Sequence, residues 1–337
     1  MSVRALPLSP GDLGPAVRDL RSRLSDAGFL AVSLSEEFDD ECTSAVREFQ
    51  QQRGLHSTGE VDATTWGCLV ESGFLLGDRL IFLTRPMLRG DDVSYLQLQL
   101  GALGFDAGKV DGIFGPVTET AVLEFQQNLG LVTDSVCGPE TVASLSRLQA
   151  RGGVTTVAGV RERRNLRRQP TILHRPVALA HTGNARFLVG RVAADLRLAG
   201  FDTHLVEADD WSAASAHMNE ANVSVCLAWD LSPITRIEIS HFATVGFESV
   251  AGAGLAQCVA DQLPALPELP LALLRGMRLP VLRETRAPAI MLTLGPDQLI
   301  ETHANLFGPA MSRALMAWSS PVVEPETIIN LNSQLEV

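Results

Sequence analysis

Lysine is almost absent from this 337-residue chain, where Lys109 stands alone against 26 arginines. Nor is there a run of about 18 apolar residues, so the sequence offers no membrane-spanning helix. The opening stretch, Met1 to Pro10, lacks the apolar segment of about 7–15 residues that a secretory leader carries, which sets the expectation of a cytoplasmic protein. Five cysteines (Cys42, Cys68, Cys137, Cys226, Cys258) are scattered, odd in number and form no C-x-x-C pair. That argues against a disulfide framework and a cysteine zinc site, and for buried thiols in a reducing compartment. P-loop, dinucleotide fingerprint and nucleophile elbow are all missing. Positive charge is short as well: 27 basic against 39 acidic side chains give −12, which weighs against a nucleic-acid binder.

What is present is ample apolar residue, 46%, in a chain long enough for two or three packed domains. The charge is uneven. Residues 151–175 hold seven Arg and one Glu between two acidic bodies. This segment, with Gly152-Gly153 and the run Arg161 to Arg168, reads as a basic linker over 149–175. It is either simply solvated or a docking element for an acidic partner or an anionic surface.

The N-terminal half repeats itself at an offset of 76. Leu20, Leu24, Gly28 and Phe29 fall on Leu96, Leu100, Gly104 and Phe105, and Glu48-Phe49-Gln50-Gln51 falls on Glu124-Phe125-Gln126-Gln127. Each copy reads as three short helices. Val17, Leu20 and Leu24 mark one helical face, Ala45, Val46, Phe49 and Gln50 a second helix, and Asp62 or Asp134 precedes a third. The copies span 8–74 and 80–148. Their G-D-x-G…G-F…A-V-x-x-F-Q…G-L pattern resembles the peptidoglycan-binding domain of bacterial cell-wall enzymes. Copy two is the better match, with Asp111-Gly-Ile-Phe-Gly-Pro116, where copy one has Glu37-Phe38-Asp39-Asp40. The matching residues are mostly core and turn positions, so a glycan and a protein remain equally open as ligands.

Residues 176–319 read as an α/β domain. Strands are expected at 177–180, 203–206, 223–228 and 289–294, with an edge strand at 234–243, and helices at 187–199, 211–221, 255–263 and 304–318. The fold class is therefore multidomain: two three-helix modules, then an α/β domain whose largely parallel or mixed sheet is flanked by helices. Val281-Leu-Arg-Glu-Thr-Arg-Ala-Pro-Ala289 and Ser249-Val-Ala-Gly-Ala-Gly-Leu-Ala256 resemble segments of the zinc-dependent N-acetylmuramoyl-L-alanine amidases of type 3.

That resemblance implies a zinc with three protein ligands, an open position for water and a carboxylate base. The implied ligand and base positions carry Ala228 and Thr293 here, and neither type can serve. The H-G-G loop and the helix-start Glu are missing around Ala180 to Phe187. His181 is the one candidate for a surviving ligand, and its alternative is a satisfied structural histidine. His241 is expected on the next strand in a structural role. Trp229, Leu227 and Leu294 are expected to fill the former cleft. No cofactor is expected.

Two repeats, a degenerate amidase-like domain and an acidic tail over 320–337 resemble the CwlM-type amidase homologues of mycobacteria and related actinobacteria. The resemblance implies a pseudo-amidase that regulates peptidoglycan precursor synthesis by activating UDP-N-acetylglucosamine enolpyruvyl transferase. It also implies a Ser/Thr protein kinase as partner, acting on a tail threonine, which here is Thr327. Peptidoglycan precursors are a further possible ligand. The alternatives are an active N-acetylmuramoyl-L-alanine amidase and a passive muropeptide-binding module.

Overall fold

The computed structural model describes residues 6–149, 176–244, 247–263 and 268–319. The Arg161–Arg168 run and the tail with Thr327 lie outside them. In copy one, α1 (Pro15–Asp26), α2 (Asp40–Gln52) and α3 (Ala63–Ser72) follow the expected periodicity, and α1 buries Val17, Leu20 and Leu24. Asp39 caps α2 by accepting from the Cys42 amide at 2.8 Å, and Asp62 caps α3 by accepting from Thr65 at 2.7 Å. The Cys42 bond holds the Asp39 carboxyl below the usual range. Copy two repeats the plan with α4 (Asp91–Ala102), α5 (Pro116–Leu129) and α6 (Pro139–Gln149).

The two copies share their packing to the side chain. Phe29 meets Phe49 edge-on at 5.3 Å, and Phe105 meets Phe125 edge-on at 5.5 Å. The glutamine of the F-Q pair is a loop clamp in both. Gln50 Nε2 donates to the Glu60 carbonyl and Thr65 Oγ1, while its Oε1 accepts from the Gly59 amide. Gln126 does the same for Val136, Thr141 and Ser135. Asp134 precedes α6, as expected, from within the loop before it. The shift of 76 puts Gly138 opposite Asp62, and Asp134 instead accepts from Gln126 and Val136 to shape the loop. Where copy one departs in sequence, its turn is held by other means. Gln97 donates to the Ile113 carbonyl at 3.1 Å, and its counterpart Arg21 donates to the Glu37 carbonyl at 3.2 Å and to Asp39 at 2.8 Å. A guanidinium thus balances the acidic turn that replaces D-G-x-F-G.

Gln126→Ala strips several buried partners at once. It is expected to destabilise copy two by about 1–3 kcal/mol, read as a lower urea midpoint at unchanged m-value.

The C-terminal part is a seven-stranded mixed sheet. Its strands are β1 (Val177–His181), β2 (Thr203–Glu207), β3 (Val225–Leu231), β4 (Arg236–Thr244), β5 (Phe247–Glu248), β6 (Leu273–Met277) and β7 (Ala289–Gly295). The order is β2-β1-β3-β7-β4-β5, with β6 also paired to β4. β1, β2, β3 and β7 run parallel, whereas β4 is antiparallel to β7 and parallel to β6. One expectation is corrected and one strand was not expected at all. The 234–243 strand is interior, not an edge, because β6 covers its outer side. β6 itself has no alternating pattern to announce it: Leu273 is 54% exposed and only Met277 is buried.

Among the described residues six helices complete this part: α7 (Arg186–Leu198), α8 (Trp211–Glu220), α9 (Val250–Gln262), α10 (Pro280–Glu284), α11 (Asp297–Thr302) and α12 (Ala304–Ser319). One face of the sheet packs Leu179, Leu227, Trp229, Ile239 and Leu292 under α7, α9 and α12. The other packs Ala178, Ala228, Phe242 and Met291 under α8 and α10, with Val110 of copy two joining them. The free thiols follow this burial. All but half-buried Cys258 are buried, and loss of solvation pushes Cys137 and Cys226 up to about 12.

Candidate functional site

Three parallel neighbours, β1, β3 and β7, end side by side, and the crevice at such strand ends is where open α/β sheets place ligands. Ala180 pairs with Ala228, which pairs with Met291; one step on, His181 pairs with Trp229 and Trp229 with Leu292. Because strand side chains alternate, these two rows face opposite sides of the sheet. Ala228 therefore lies in the α8–α10 core and His181 on the α7–α12 side. The same alternation overturns the expected plug. Leu227, Trp229 and Leu294 all belong to the α7–α12 core, so they do not fill the space beside Ala228. What shares that face at the strand ends is polar: Asp230, its β7 neighbour Thr293, and Glu238 of β4 opposite Thr293.

Each of these groups has a definite setting. Asn184 at the head of α7 donates to Asp230 at 2.7 Å and to the Leu231 carbonyl at 2.9 Å. Glu238, 1% exposed, pairs with Arg236 at 2.5 Å and lies 3.8 Å from Arg275. Thr293 is buried, and its hydroxyl has no hydrogen-bond partner among the described residues. His181 Nδ1 accepts from the Gly183 amide at 3.0 Å, which leaves the proton on Nε2. Burial lowers its pKa, so it is a neutral group closing the β1–α7 turn. His241 does lie on β4, with Nε2 2.6 Å from Glu248 of the adjoining β5.

Sequence reasoning missed Asp230, Glu238 and His56. Glu238 had a signal, polar residues at period two between apolar ones in 236–240, and Asp230 had only that it interrupts an apolar run. His56 had none, since it arrives from copy one. Burial lowers its pKa, and it feels Glu238, Arg236, Asp230 and Arg275.

Both depressed histidines bear on stability in one direction. Unfolding restores an ordinary pKa near 6.5, so the unfolded chain takes up protons first as pH falls. Stability is therefore expected to be full above about 6.5 and to decline below it. Thermal melts from pH 7.5 to 5.5 should show this, with a flatter slope in His56→Asn.

The donor set does not fit a zinc ion. Ala228 has nothing to offer, His181 faces away from Asp230 and Glu238, and no three His, Cys, Asp or Glu among the described residues gather around one point.

The putative peptidoglycan binding domain family matches residues 14–69 and 89–145, that is, the two helical copies. Over 329 residues the chain is 31% identical to N-acetylmuramoyl-L-alanine amidase CwlM of Mycobacterium tuberculosis, covering 85% of this chain and 80% of that protein. The chain belongs to the CwlM-type N-acetylmuramoyl-L-alanine amidase family. A probable N-acetylmuramoyl-L-alanine amidase of Bacillus licheniformis is 28% identical over 158 residues, and there this chain spans 45% of the relative's length. Among solved structures, N-acetylmuramoyl-L-alanine amidase AmiC2 of Nostoc punctiforme aligns with 42% of this chain and 96% of its own, at 16% identity and a TM-score of 0.35.

In this amidase homologue the V-L-R-E-T-R-A-P-A string does structural work between domains. Its Arg283 donates from Nη1 to both oxygens of Glu71 in copy one, at 3.1 and 2.9 Å, and from Nε to the Asp111 carbonyl in copy two at 2.6 Å. Gly54 takes φ +63° where the first copy touches β6, and a Cβ there would stand 2.9 Å from Met277 Cα. Only glycine accepts both the backbone angle and that approach.

Proposed function

We infer that the chain is a non-catalytic, cytoplasmic regulator of peptidoglycan precursor synthesis that acts by binding proteins. The observation that carries this reading is that the implied ligand position, Ala228, and the one candidate ligand, His181, lie on opposite faces of the sheet. The partner we assign is the UDP-N-acetylglucosamine enolpyruvyl transferase, with a Ser/Thr kinase acting on Thr327. Purified protein should hold well below one zinc per chain and hydrolyse muropeptides no faster than buffer. Ala228→His should gain neither metal nor activity, because His181 still faces away. Stoichiometric zinc together with amide cleavage would reverse the reading. Transferase rate measured with wild type, Thr327→Ala and kinase-treated protein tests the partner. Three equal rates would remove Thr327 from the account.

A second reading, passive muropeptide binding, has one observation in its favour. An open groove of about 470 Å³ on copy one is lined by Phe29, Leu30, Glu41, Ser44 and Glu48. Titration of the full chain with a soluble muropeptide, followed by amide shifts in residues 28–48, decides it.

A further inference from the structure

We propose that the two repeats are a latched cover over the β4–β6 half of the sheet, and that the latch is the cluster of Glu71, Arg278 and Arg283. This is independent of the regulatory reading above.

Each arginine of the cluster grips both copies. Arg283 binds Glu71 of copy one and the Asp111 carbonyl of copy two. Arg278, 4% exposed, lies 3.5 Å from Glu71 and 3.2 Å from Asp91 of copy two, and its amide donates to the Gly54 carbonyl at 2.8 Å. Arg53 of copy one also pairs with Asp91. Lys109 adds a second arm: its ammonium donates to the Leu282 carbonyl at 2.6 Å and lies 4.4 Å from the centre of the Phe242 ring. Arg89 pairs with Glu284 at 2.5 Å along the rim.

The apolar share of this joint is small. From the repeats, Val110 enters the buried cluster that holds Phe242 and Met277, and Leu98 packs against it. Copies one and two have complete cores of their own. A joint made chiefly of ion pairs and carbonyl contacts, between bodies with separate cores, opens as a unit without melting either side. Among the described residues Glu71 is the one carboxylate that both arginines share, so the joint turns on it. Removing it leaves buried Arg283 without its ion-pair partner and Arg278 with Asp91 alone. Opening would uncover Phe242, Met277, Arg278 and Arg283 together, a face suited to an acidic and apolar partner segment.

Hydrogen exchange on the full chain tests this with wild type, Glu71→Ala and the milder Glu71→Gln. Arg18→Ala, which breaks an exposed pair with Glu36 inside copy one, serves as control. In Glu71→Ala, residues 54–60 and 277–285 should exchange about tenfold faster or more. Residues 42–50 in α2 and 289–295 in β7 should keep wild-type rates. Glu71→Gln should fall between, and it carries the test if the alanine variant does not fold. Wild-type rates at 277–285 in the glutamate variants would overturn the proposal. So would equal loosening of 42–50 and 289–295, since the joint would then be part of one cooperative core.

Discussion

Trp229→Ala should cost the C-terminal domain about 3–5 kcal/mol, the range for emptying a large aromatic from a packed core. Trp229 is fully buried on the middle of the sheet and meets Phe307 of α12 edge-on at 6.3 Å. Alanine would leave a dry cavity between β3 and α12 that neither can collapse to fill. Trp229→Phe should cost much less, because the indole N–H has no acceptor among the described residues and its loss removes a buried unpaired donor. Urea denaturation followed separately in the two halves by hydrogen exchange checks both. A loss below about 1 kcal/mol in the alanine variant would show that Trp229 is not a core residue. The result also separates two roles: a plug over Ala228 would open a groove at little cost, and a core tryptophan cannot.

Phe125→Ala should unfold copy two ahead of the rest. Phe125 is fully buried and edge-on to Phe105, so its loss costs about 3–5 kcal/mol. A module of this size has a total stability of only about 3–10 kcal/mol, at roughly 0.05–0.15 kcal/mol per residue. The variant should show an early transition confined to copy two, with α9 and α12 still protected. Phe49→Ala should do the same to copy one, because the shift of 76 carries one phenylalanine onto the other and the structure gives both the same ring partner. Equal melting of both halves in either variant would contradict separate cores.

Much of this was legible in the residues. Local order and period set the three helices of each copy, since Leu20, Leu24 and Phe49 recur on helical faces and Asp62 stands just before the third helix of copy one, which it caps by a short-range bond. The buried runs Val177 to Ala180 and Ala289 to Leu294 marked central strands for the same reason: a strand covered on both faces must be apolar throughout. Asp134 precedes α6 as Asp62 precedes α3, but the sequence did not say that only Asp62 stands at the cap position, because a loop aspartate and a capping one are the same residue type.

Tertiary structure decided what depended on distance in the chain or on the face a side chain takes. Strand alternation gives two faces, but the sequence does not say which is which when both are buried, so Trp229 and Ala228 were assigned to one space. β6 lay hidden because its mostly exposed side chains bear no alternation and its place is fixed by pairing with β4, some 35 residues away. The polar group of Asp230, Glu238 and Thr293 with His56, and the grip of Arg283 on Glu71, join residues from separate domains. Such contacts are chosen by the free energy of the assembled fold, in which a buried arginine must find a carboxylate wherever the chain brings one, and no local pattern records that choice.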